Sequence, residues 1–259
     1  MEKQLENKVC VVTGSARSIG LAIAEMYCRH GAKVAMLDIL PEVIEQAKKL
    51  TGDGYPVKGY TCDITDQEKV MECFKSIEAD LGDIYTLVNT AGAVDQQSIE
   101  EITPEHLNRM MNINVNGTVY CSQGALKSMK KLDNGRIINF ASKSGKTGSA
   151  LMGSYSAAKG AIISLTHAMA FELAGNNIKV NCLCPGIVDD SGVWDSVSKG
   201  YIDNLDMSRN EVVKKFTAKI PLQRLCYKQD IVAWCEFLTI HGDYNTGQAF
   251  NVSGGREVH

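Results

Sequence analysis

Three residues whose side chains can together move a proton to or from an alcohol oxygen stand close in the sequence, at Ser142, Tyr155 and Lys159. The spacing of four residues places Tyr155 and Lys159 on one face of a helix. A phenol, with a pKa of about 10, is a poor acid–base catalyst at neutral pH, and a neighbouring ammonium group favours the phenolate. We therefore expect Lys159 to lower the pKa of Tyr155, and Ser142 to hold the substrate oxygen. The alternative is a polar helix start with Tyr155 packed at the rim and Lys159 solvated.

A turn of small residues follows the first predicted strand and opens the first helix, with the sequence Thr13-Gly14-Ser15-Ala16-Arg17-Ser18-Ile19-Gly20. In such a turn the backbone N–H groups and the helix dipole can bind a pyrophosphate. Asp38 stands eighteen residues after Gly20, at the end of the second predicted strand. A carboxylate there accepts both hydroxyls of an adenosine ribose and repels a 2′-phosphate, so the pattern predicts NAD as the cofactor.

Short apolar runs alternate with helical patterns along the chain, which is typical of a parallel sheet covered by helices on both faces. The predicted strands are Val9–Thr13, Lys33–Asp38, Val57–Asp63, Ile84–Asn89, Arg136–Ala141, Lys179–Cys184 and Ala249–Val252. The first predicted helix ends before a capping glycine, Gly31. The later predicted helices are Val43–Leu50, Glu68–Leu81, Glu105–Lys131, Tyr155–Leu173 and Asp230–Leu238. The sequence thus predicts an α/β fold: a Rossmann-type doubly wound parallel sheet of about seven strands, in a single domain over residues 1–259. The pattern breaks between about 189 and 220, where we expect a substrate lid.

Composition excludes several classes of function. The chain has 27 basic and 30 acidic residues, a formal net charge of −3 and no block of like charges, which argues against binding of nucleic acid or of a membrane surface. No apolar stretch is long enough to span a bilayer and the first eight residues are too polar for a signal sequence, so we expect a cytoplasmic protein. The nine cysteines are an odd number and are predicted to be reduced, and metal-ligand spacings are absent, so no metal is expected.

Taken together, these motifs resemble the short-chain dehydrogenase/reductase family from about Val9 to Gly255. Further matches are Asp63 with Ile64, the stretch Asn89-Thr90-Ala91-Gly92, Asn114 in Asn114-Val115-Asn116-Gly117, and Cys184-Pro185-Gly186-Ile187-Val188. The resemblance implies a cofactor-binding set of Gly14, Arg17, Ser18, Ile19, Gly20, Asp38, Asp63, Ile64, Asn89, Ala91, Gly92, Tyr155, Lys159, Pro185, Gly186 and Val188.

The resemblance also implies a role for each of four catalytic residues in a hydride transfer between nicotinamide and a carbinol carbon. Tyr155 would move the hydroxyl proton, Lys159 would bind the nicotinamide ribose, Ser142 would orient the substrate, and Asn114 would anchor a water relay to Lys159.

Three positions depart from the family pattern. Ser18 replaces a glycine of the turn and could donate to a phosphate oxygen instead. Thr90 replaces a second asparagine. Asp190 stands where a threonine commonly meets the nicotinamide carboxamide, a contact that Ser191 could supply.

Stretches in the C-terminal half resemble the polyol branch of the family. Lys143 follows the catalytic serine at the expected pocket mouth, with Lys146 three residues further, and two ammonium groups there would favour an anionic substrate. The alternative is that both are solvated loop lysines. The expected substrate-binding set is Ser142, Lys143, Tyr155 and Trp194, and the expected reaction interconverts a polyol or polyol phosphate and its ketone, such as sorbitol 6-phosphate and fructose 6-phosphate.

Two other functions remain open at this point. A hydroxysteroid dehydrogenase or 3-oxoacyl reductase would favour an apolar lid, whereas Asp189, Asp190, Ser191, Asp195 and Ser196 make this one polar. A dinucleotide-sensing binding protein without turnover would not need all four catalytic residues. The partner expected from the resemblance is a small-molecule alcohol or ketone in a homotetramer, consistent with apolar residues on more than one face of the long helices.

Overall fold

The computed structural model describes residues 3–189, 191, 194 and 208–258. Its centre is a parallel sheet of seven strands in the order β3-β2-β1-β4-β5-β6-β7. The strands are β1 Val9–Thr13, β2 Lys33–Asp38, β3 Val57–Thr61, β4 Ile84–Asn89, β5 Gly135–Phe140, β6 Ile178–Pro185 and β7 Ala249–Val252. The order reverses between β1 and β4, where the connections leave in opposite directions and open a crevice at the carboxyl edge of the sheet.

Helices cover both faces of the sheet, and the predicted α/β doubly wound architecture is confirmed. They are α1 Ser18–Arg29, α2 Glu42–Gly52, α3 Gln67–Leu81, α4 Pro104–Met111, α5 Gly117–Lys131, α6 Lys143–Thr147, α7 Gly153–Leu173, α8 Arg209–Thr217 and α9 Lys228–Ile240. Among these described helices, none is both long enough and apolar enough to cross a membrane.

The alternation of side chains along each strand builds two cores, one on each face. On β1, Cys10 and Val12 pack with α1, α2 and α9, where Tyr27 is fully buried. Val11, which lies between these two residues, faces the opposite layer and packs with α3, α5 and α7, where Phe74 is buried. Because both faces of the strands are buried, the apolar runs in the sequence are nearly continuous.

The predicted strand bounds hold for β1, β2, β4 and β7 and shift by one or two residues for the others. The bounds of the predicted helices shift by up to two residues, and two of the corrections bear on the site. The helix expected at Glu105–Lys131 is interrupted by a π-helical turn at Asn112–Asn116, which widens the backbone spiral next to the site. The helix expected to begin at Tyr155 begins at Gly153, so Tyr155 lies within its first turn, and Lys159 still follows one turn later.

The short helix α6 was not predicted, because five residues are too few for a helical period to show. Ser142 caps it, since its Oγ accepts a hydrogen bond of 3.1 Å from the Ser144 backbone N–H. Of the predicted lid, the structure describes Asp189, Ser191, Trp194 and 208–220, including α8, whose N-terminus is closed by a capping box between Ser208 and Glu211. Asp190, Asp195 and Ser196 lie outside the described residues.

Candidate active site

A cleft of about 1070 Å³ lies at the carboxyl edge of the sheet, over the point where the strand order reverses. This is the position at which open α/β sheets bind ligands. Most of the residues predicted to bind a cofactor line it: Gly14, Arg17, Ser18, Ile19, Gly20, Asp38, Asp63, Ile64, Ala91 and Gly92.

Two glycines of the turn are required by close backbone approach. Gly14 has a φ of +63°, and a Cβ there would lie 2.8 Å from the Cα of Ala91. A Cβ on Gly20 would overlap the carbonyl oxygen of Gly14. The turn is therefore tight, and the first residues of α1, Ser18, Ile19 and Gly20, line the cleft. The N–H groups at a helix N-terminus are suited to binding a pyrophosphate.

Ser18, the departure from the family pattern in this turn, has a φ of +53°. This is the left-handed region, which glycine adopts freely and other residues only at a cost. Ser18 thus adopts a backbone conformation that a glycine at this position would adopt without steric cost.

Asp38 is held in place by the backbone on both sides of the cleft. Its Oδ2 accepts a hydrogen bond of 2.9 Å from Ala16 N–H, and its Oδ1 accepts one of 3.0 Å from Leu40 N–H. The carboxylate therefore links the turn to the end of β2. It also lines the cleft, where its remaining lone pairs can accept hydrogen bonds from a ligand. Such a carboxylate suits two ribose hydroxyls and opposes a phosphate.

Asp63 and Ile64, which the family resemblance assigns to the adenine side of the cofactor, line the cleft at the end of β3. Asp63 Oδ1 accepts from both the backbone N–H and the hydroxyl of Thr65, which fixes the carboxylate at the end of β3. Ile64 packs against α5, because a Cβ on Gly117 would come within 2.5 Å of its Cδ1.

Asn89 does not line the cleft, contrary to the prediction. Its side chain is buried, and its Nδ2 donates to Asn139 Oδ1 at 2.9 Å and to Ser122 Oγ at 3.3 Å. Asn89 thus ties β4 to β5 and α5 beneath the site. The next residue, Thr90, lines the cleft, and its hydroxyl donates to the Thr13 carbonyl oxygen.

A second cavity, of about 340 Å³, adjoins the cleft and contains the predicted catalytic side chains of Asn114, Ser142, Tyr155 and Lys159. The two spaces have six residues in common: Ile19, Thr90, Gly92, Ala93, Phe140 and Ser191. A cofactor in the cleft can therefore present one end to the catalytic side chains.

Lys159 is buried, and its Nζ donates to the Phe140 carbonyl oxygen at 2.7 Å. Burial disfavours its charged form and lowers the pKa of Lys159 to about 8. Its Nζ lies 5.7 Å from the centre of the Tyr155 ring. The ammonium is thus held beside the cavity by one carbonyl and retains N–H groups for a ligand.

Tyr155 differs from the expectation in its protonation. Burial raises the pKa of Tyr155, and a hydrogen bond with Ser142 lowers it in part. The expected lowering by Lys159 is not found, because the cost of burying a phenolate exceeds the effect of an ammonium that is itself buried and turned to Phe140. The phenol is therefore protonated at neutral pH.

Asn114 sits in the π-helical turn and is almost fully buried. Its Nδ2 donates to the carbonyl oxygens of Ala93 and Met110, both at 3.0 Å. A Cβ on Gly92 would meet Asn114 Oδ1 at 2.8 Å and Lys159 Nζ at 3.4 Å. Because Gly92 has no side chain, the segment after β4 can lie close to both Asn114 Oδ1 and Lys159 Nζ.

The far wall of the catalytic cavity comes from the segment after β6 and from the lid. Pro185, Gly186 and Val188, which were predicted to bind the cofactor, line it together with Ser191 and Trp194. The Ser191 hydroxyl donates to the Val188 carbonyl oxygen at 2.8 Å and accepts from Trp194 N–H at 3.1 Å. The carboxamide contact considered for Asp190 lies outside the described residues.

The two lysines expected at the pocket mouth separate in the structure. Lys143 lines the cavity and donates to the Gly148 carbonyl oxygen at 3.3 Å. Lys146 does not line it, because its Nζ donates to the carbonyl oxygen of Ala249 on β7 at 2.8 Å. Sequence reasoning missed Lys219 and Arg256, which line the same cavity from distant parts of the chain and belong to no local motif.

In the described part of the chain, no group of three or more His, Cys, Asp and Glu side chains is arranged to hold a metal ion. The cleft residues fit a dinucleotide instead: two glycines admit a diphosphate close to the backbone, and Asp38 is fixed where a ribose would lie.

Comparison with known proteins gives close matches over nearly the whole chain. Sorbitol dehydrogenase of Cereibacter sphaeroides is 37% identical over 255 residues, which are 97% of this chain and 98% of that protein. The crystal structure of sorbitol-6-phosphate 2-dehydrogenase from Erwinia amylovora superposes with a TM-score of 0.92 at 29% identity, covering 96% of this chain and 100% of that one. An NADPH-bound variant of actinorhodin polyketide ketoreductase superposes with a TM-score of 0.93 at 29% identity, covering 100% of both chains.

The short chain dehydrogenase family model matches residues 8–201, which include the glycine turn, Asp38 and all four predicted catalytic residues. The chain therefore belongs to the short chain dehydrogenase family, whose members are nicotinamide-dependent oxidoreductases that act on CH–OH groups.

Proposed function

We propose that this protein is an NAD-dependent oxidoreductase that interconverts a secondary alcohol of a polyol and the corresponding ketone. The observation that carries the proposal is the joining of two spaces: the catalytic cavity with Ser142, Tyr155 and Lys159 opens onto the dinucleotide cleft. A reacting carbon bound beside Tyr155 would then lie next to a nicotinamide in the cleft.

The proposed roles follow from the geometry. Bound NAD(H) supplies the hydride acceptor or donor. Tyr155, whose pKa is raised by burial, is protonated at neutral pH and donates its hydroxyl proton to the ketone oxygen during reduction. Ser142 is hydrogen-bonded to Tyr155 and orients the same oxygen. Lys159 binds the nicotinamide ribose with the N–H groups that Phe140 leaves free, and Asn114 anchors a water relay to Lys159.

The proposed choice of NAD over NADP rests on Asp38. Its carboxylate is fixed at the end of β2 by Ala16 and Leu40, where the ribose of the adenosine would lie. Two like charges about 4 Å apart repel by roughly 4 kcal/mol at an effective dielectric constant near 20. Arg17, which is exposed at the same cleft, is a counter-charge that reduces this repulsion.

A polyol substrate is supported by the likeness to sorbitol dehydrogenase and to sorbitol-6-phosphate 2-dehydrogenase. The cavity also carries side chains that can bind several hydroxyl groups, among them Gln96, Ser149 and Ser142. A steroid or a 3-oxoacyl chain would instead use the apolar side chains of the same cavity, such as Leu151, Met152 and Phe216. A dinucleotide sensor would have no use for a proton donor beside the cofactor.

The test is a panel of ketoses, ketose phosphates, oxosteroids and a 3-oxoacyl thioester, each mixed with the protein and NADH while NADH absorbance is followed. We expect turnover with one or more ketoses or ketose phosphates and little with the others. Preference for the steroid or the thioester would contradict the substrate class. NADH binding without turnover of any compound would support a sensor.

A homotetramer in the cytoplasm is proposed on the family resemblance. Light scattering on the purified protein tests the assembly, and a monomer would overturn it. Cell fractionation tests the location.

A further inference from the structure

The catalytic cavity has an unusual distribution of charge. Among its described lining residues are four cationic side chains, Lys143, Lys159, Lys219 and Arg256, and not one acidic side chain. Lys159 is engaged with Phe140 beside Tyr155. The other three come from separate parts of the chain: α6, the segment after α8, and the C-terminal segment.

These three cations lie near enough to influence one another. Lys143 is half-buried, and beyond the effect of burial the charges of Arg256 and Lys219 lower its pKa further. Glu257 partly offsets them, because its Oε1 lies 3.4 Å from Arg256 Nε in a buried position. One carboxylate against three cations leaves two positive charges in excess at this end of the cavity.

We propose that Lys143, Lys219 and Arg256 form an anion-binding end of the substrate cavity that selects a polyol carrying a phosphate monoester, an inference that rests on the proposed function. A phosphate monoester carries close to two negative charges at neutral pH, which matches the excess. Charge-assisted hydrogen bonds from lysine and arginine are the usual means of holding it.

The arrangement differs from the one expected from the sequence. Lys146 is turned to the Ala249 carbonyl, so the second and third cations are Lys219 and Arg256. Lys143 has two N–H groups beyond the one that reaches Gly148, and Lys219 is exposed at the cavity edge. Both lysines are therefore accessible to an incoming phosphate.

The test compares sorbitol 6-phosphate and fructose 6-phosphate with sorbitol and fructose, in the wild-type protein and in variants. We expect the wild type to favour the phosphorylated compounds by about a hundredfold or more in kcat/KM. In Lys143→Met and in Lys219→Met the ratio of the two specificity constants should fall ten- to a hundredfold, since each loses one charge-assisted hydrogen bond. The specificity constant for the unphosphorylated compound is the reference in each variant, so that any general damage to the cavity cancels in the ratio.

Arg256 needs a milder substitution, because its removal would leave buried Glu257 without this counter-charge. Arg256→Lys keeps the charge and removes the two-pronged geometry, and should lower the ratio by about tenfold. Matched controls are Lys146→Met, on the same helix as Lys143 but bonded to Ala249, and Lys214→Met, exposed on α8 outside the cavity. Both should keep the wild-type ratio.

Calorimetric titration of sorbitol 6-phosphate into the protein saturated with NADH, which cannot oxidise the polyol, gives a second readout that does not need turnover. Tight binding that weakens in Lys219→Met but not in Lys214→Met supports the inference. If the wild type oxidises neutral sorbitol as well as its phosphate, the proposed function stands and the anion-binding end is refuted. If neither polyol turns over and sorbitol 6-phosphate does not bind, both fail. A clear preference for a sulfonate-bearing alcohol over the phosphates would also overturn the phosphate assignment.

Discussion

At the scale of single residues, the protonation of the site is decided by burial. Tyr155 and Lys159 are both enclosed, and enclosure disfavours the charged form of each. Tyr155 therefore stays a neutral phenol at neutral pH, while the pKa of Lys159 falls to about 8. The Phe140 carbonyl oxygen stabilises the ammonium group of Lys159, because it accepts a hydrogen bond of 2.7 Å from Nζ.

Replacement of Tyr155 by Phe should retain the fold and NADH binding and lower turnover by roughly 10²–10⁴, the usual contribution of one positioned acid–base group. The ring still fills its place, and only the proton is lost. Steady-state kinetics beside NADH fluorescence titration checks this. Tyr244→Phe is the control, because Tyr244 is fully exposed. Near-normal turnover in Tyr155→Phe would show that another group donates the proton.

Asp38→Ser should reduce the preference for NAD over NADP, which we expect to be about a hundredfold or more in the wild type. Its carboxylate is fixed by Ala16 and Leu40 and would lie close to a 2′-phosphate, where like charges repel. The ratio of kcat/KM with the two cofactors is the measurement. Asp53→Ser, an exposed position at the end of α2, should leave the ratio unchanged. A wild type that uses NADP equally well would refute the assignment.

At the scale of elements, the crossing of α6 and α7 brings Ser142 to Tyr155. Gly145 makes that crossing possible, because a Cβ there would lie 2.6 Å from the Lys159 carbonyl carbon and 2.8 Å from Gly160 N. Both neighbours are backbone atoms of a long helix and cannot give way cheaply. The distance between Ser142, which caps α6, and Tyr155, on α7, thus depends on a glycine at this position.

Gly145→Ala should therefore separate the two helices, lower kcat by tenfold or more and reduce stability by about 1–3 kcal/mol, the usual cost of overpacking. NADH binding should change less, because Gly145 does not line the cleft. Turnover, NADH titration and urea unfolding together check this. The control is Gly52→Ala in α2, where a Cβ meets nothing within 4 Å. Equal effects in the two variants would mean that the α6–α7 approach does not govern the site.

At the scale of the whole molecule, buried thiols link stability to pH. Burial raises the pKa of Cys10 and of Cys28 to about 12, from 9.0 for a free thiol, and also raises those of Cys121 and Cys235. Above about pH 9 the unfolded chain therefore releases protons that the folded chain retains, and the free energy of unfolding falls as pH rises. Each such thiol contributes roughly 1.4 kcal/mol per pH unit within its window.

We expect the urea midpoint of unfolding to fall steeply between pH 9 and pH 11 under reducing conditions. Lys159 acts in the opposite direction, because its lowered pKa makes the folded state more stable as pH rises above about 8, but it is one group against several. In Cys10→Ala the urea midpoint should fall less steeply with pH, because one of the buried thiols is removed. A midpoint that does not change between pH 8 and pH 11 would contradict the burial of these thiols.

Much of the site can be predicted from the local spacing of residues in the sequence. The turn Thr13–Gly20, Asp38 at a strand end, and Tyr155 with Lys159 one helical turn later are all fixed by short-range geometry. Strand and helix periods place them at one edge of a parallel sheet. This is why the α/β fold, and the convergence of Ser142, Tyr155 and Lys159 in one cavity, could be predicted without coordinates.

The strands and helices along the chain, and the residues that their periods bring to the sheet edge, could thus be predicted from local patterns. Which cations line the catalytic cavity depends instead on how distant segments pack. The Lys146 side chain bonds to β7, and the Asn89 side chain bonds to β5. Lys219 and Arg256 line the cavity although their segments are far from Lys143 in the chain. The physical reason is that a side chain's direction at the end of a loop depends on how distant segments pack, and no local period records that packing.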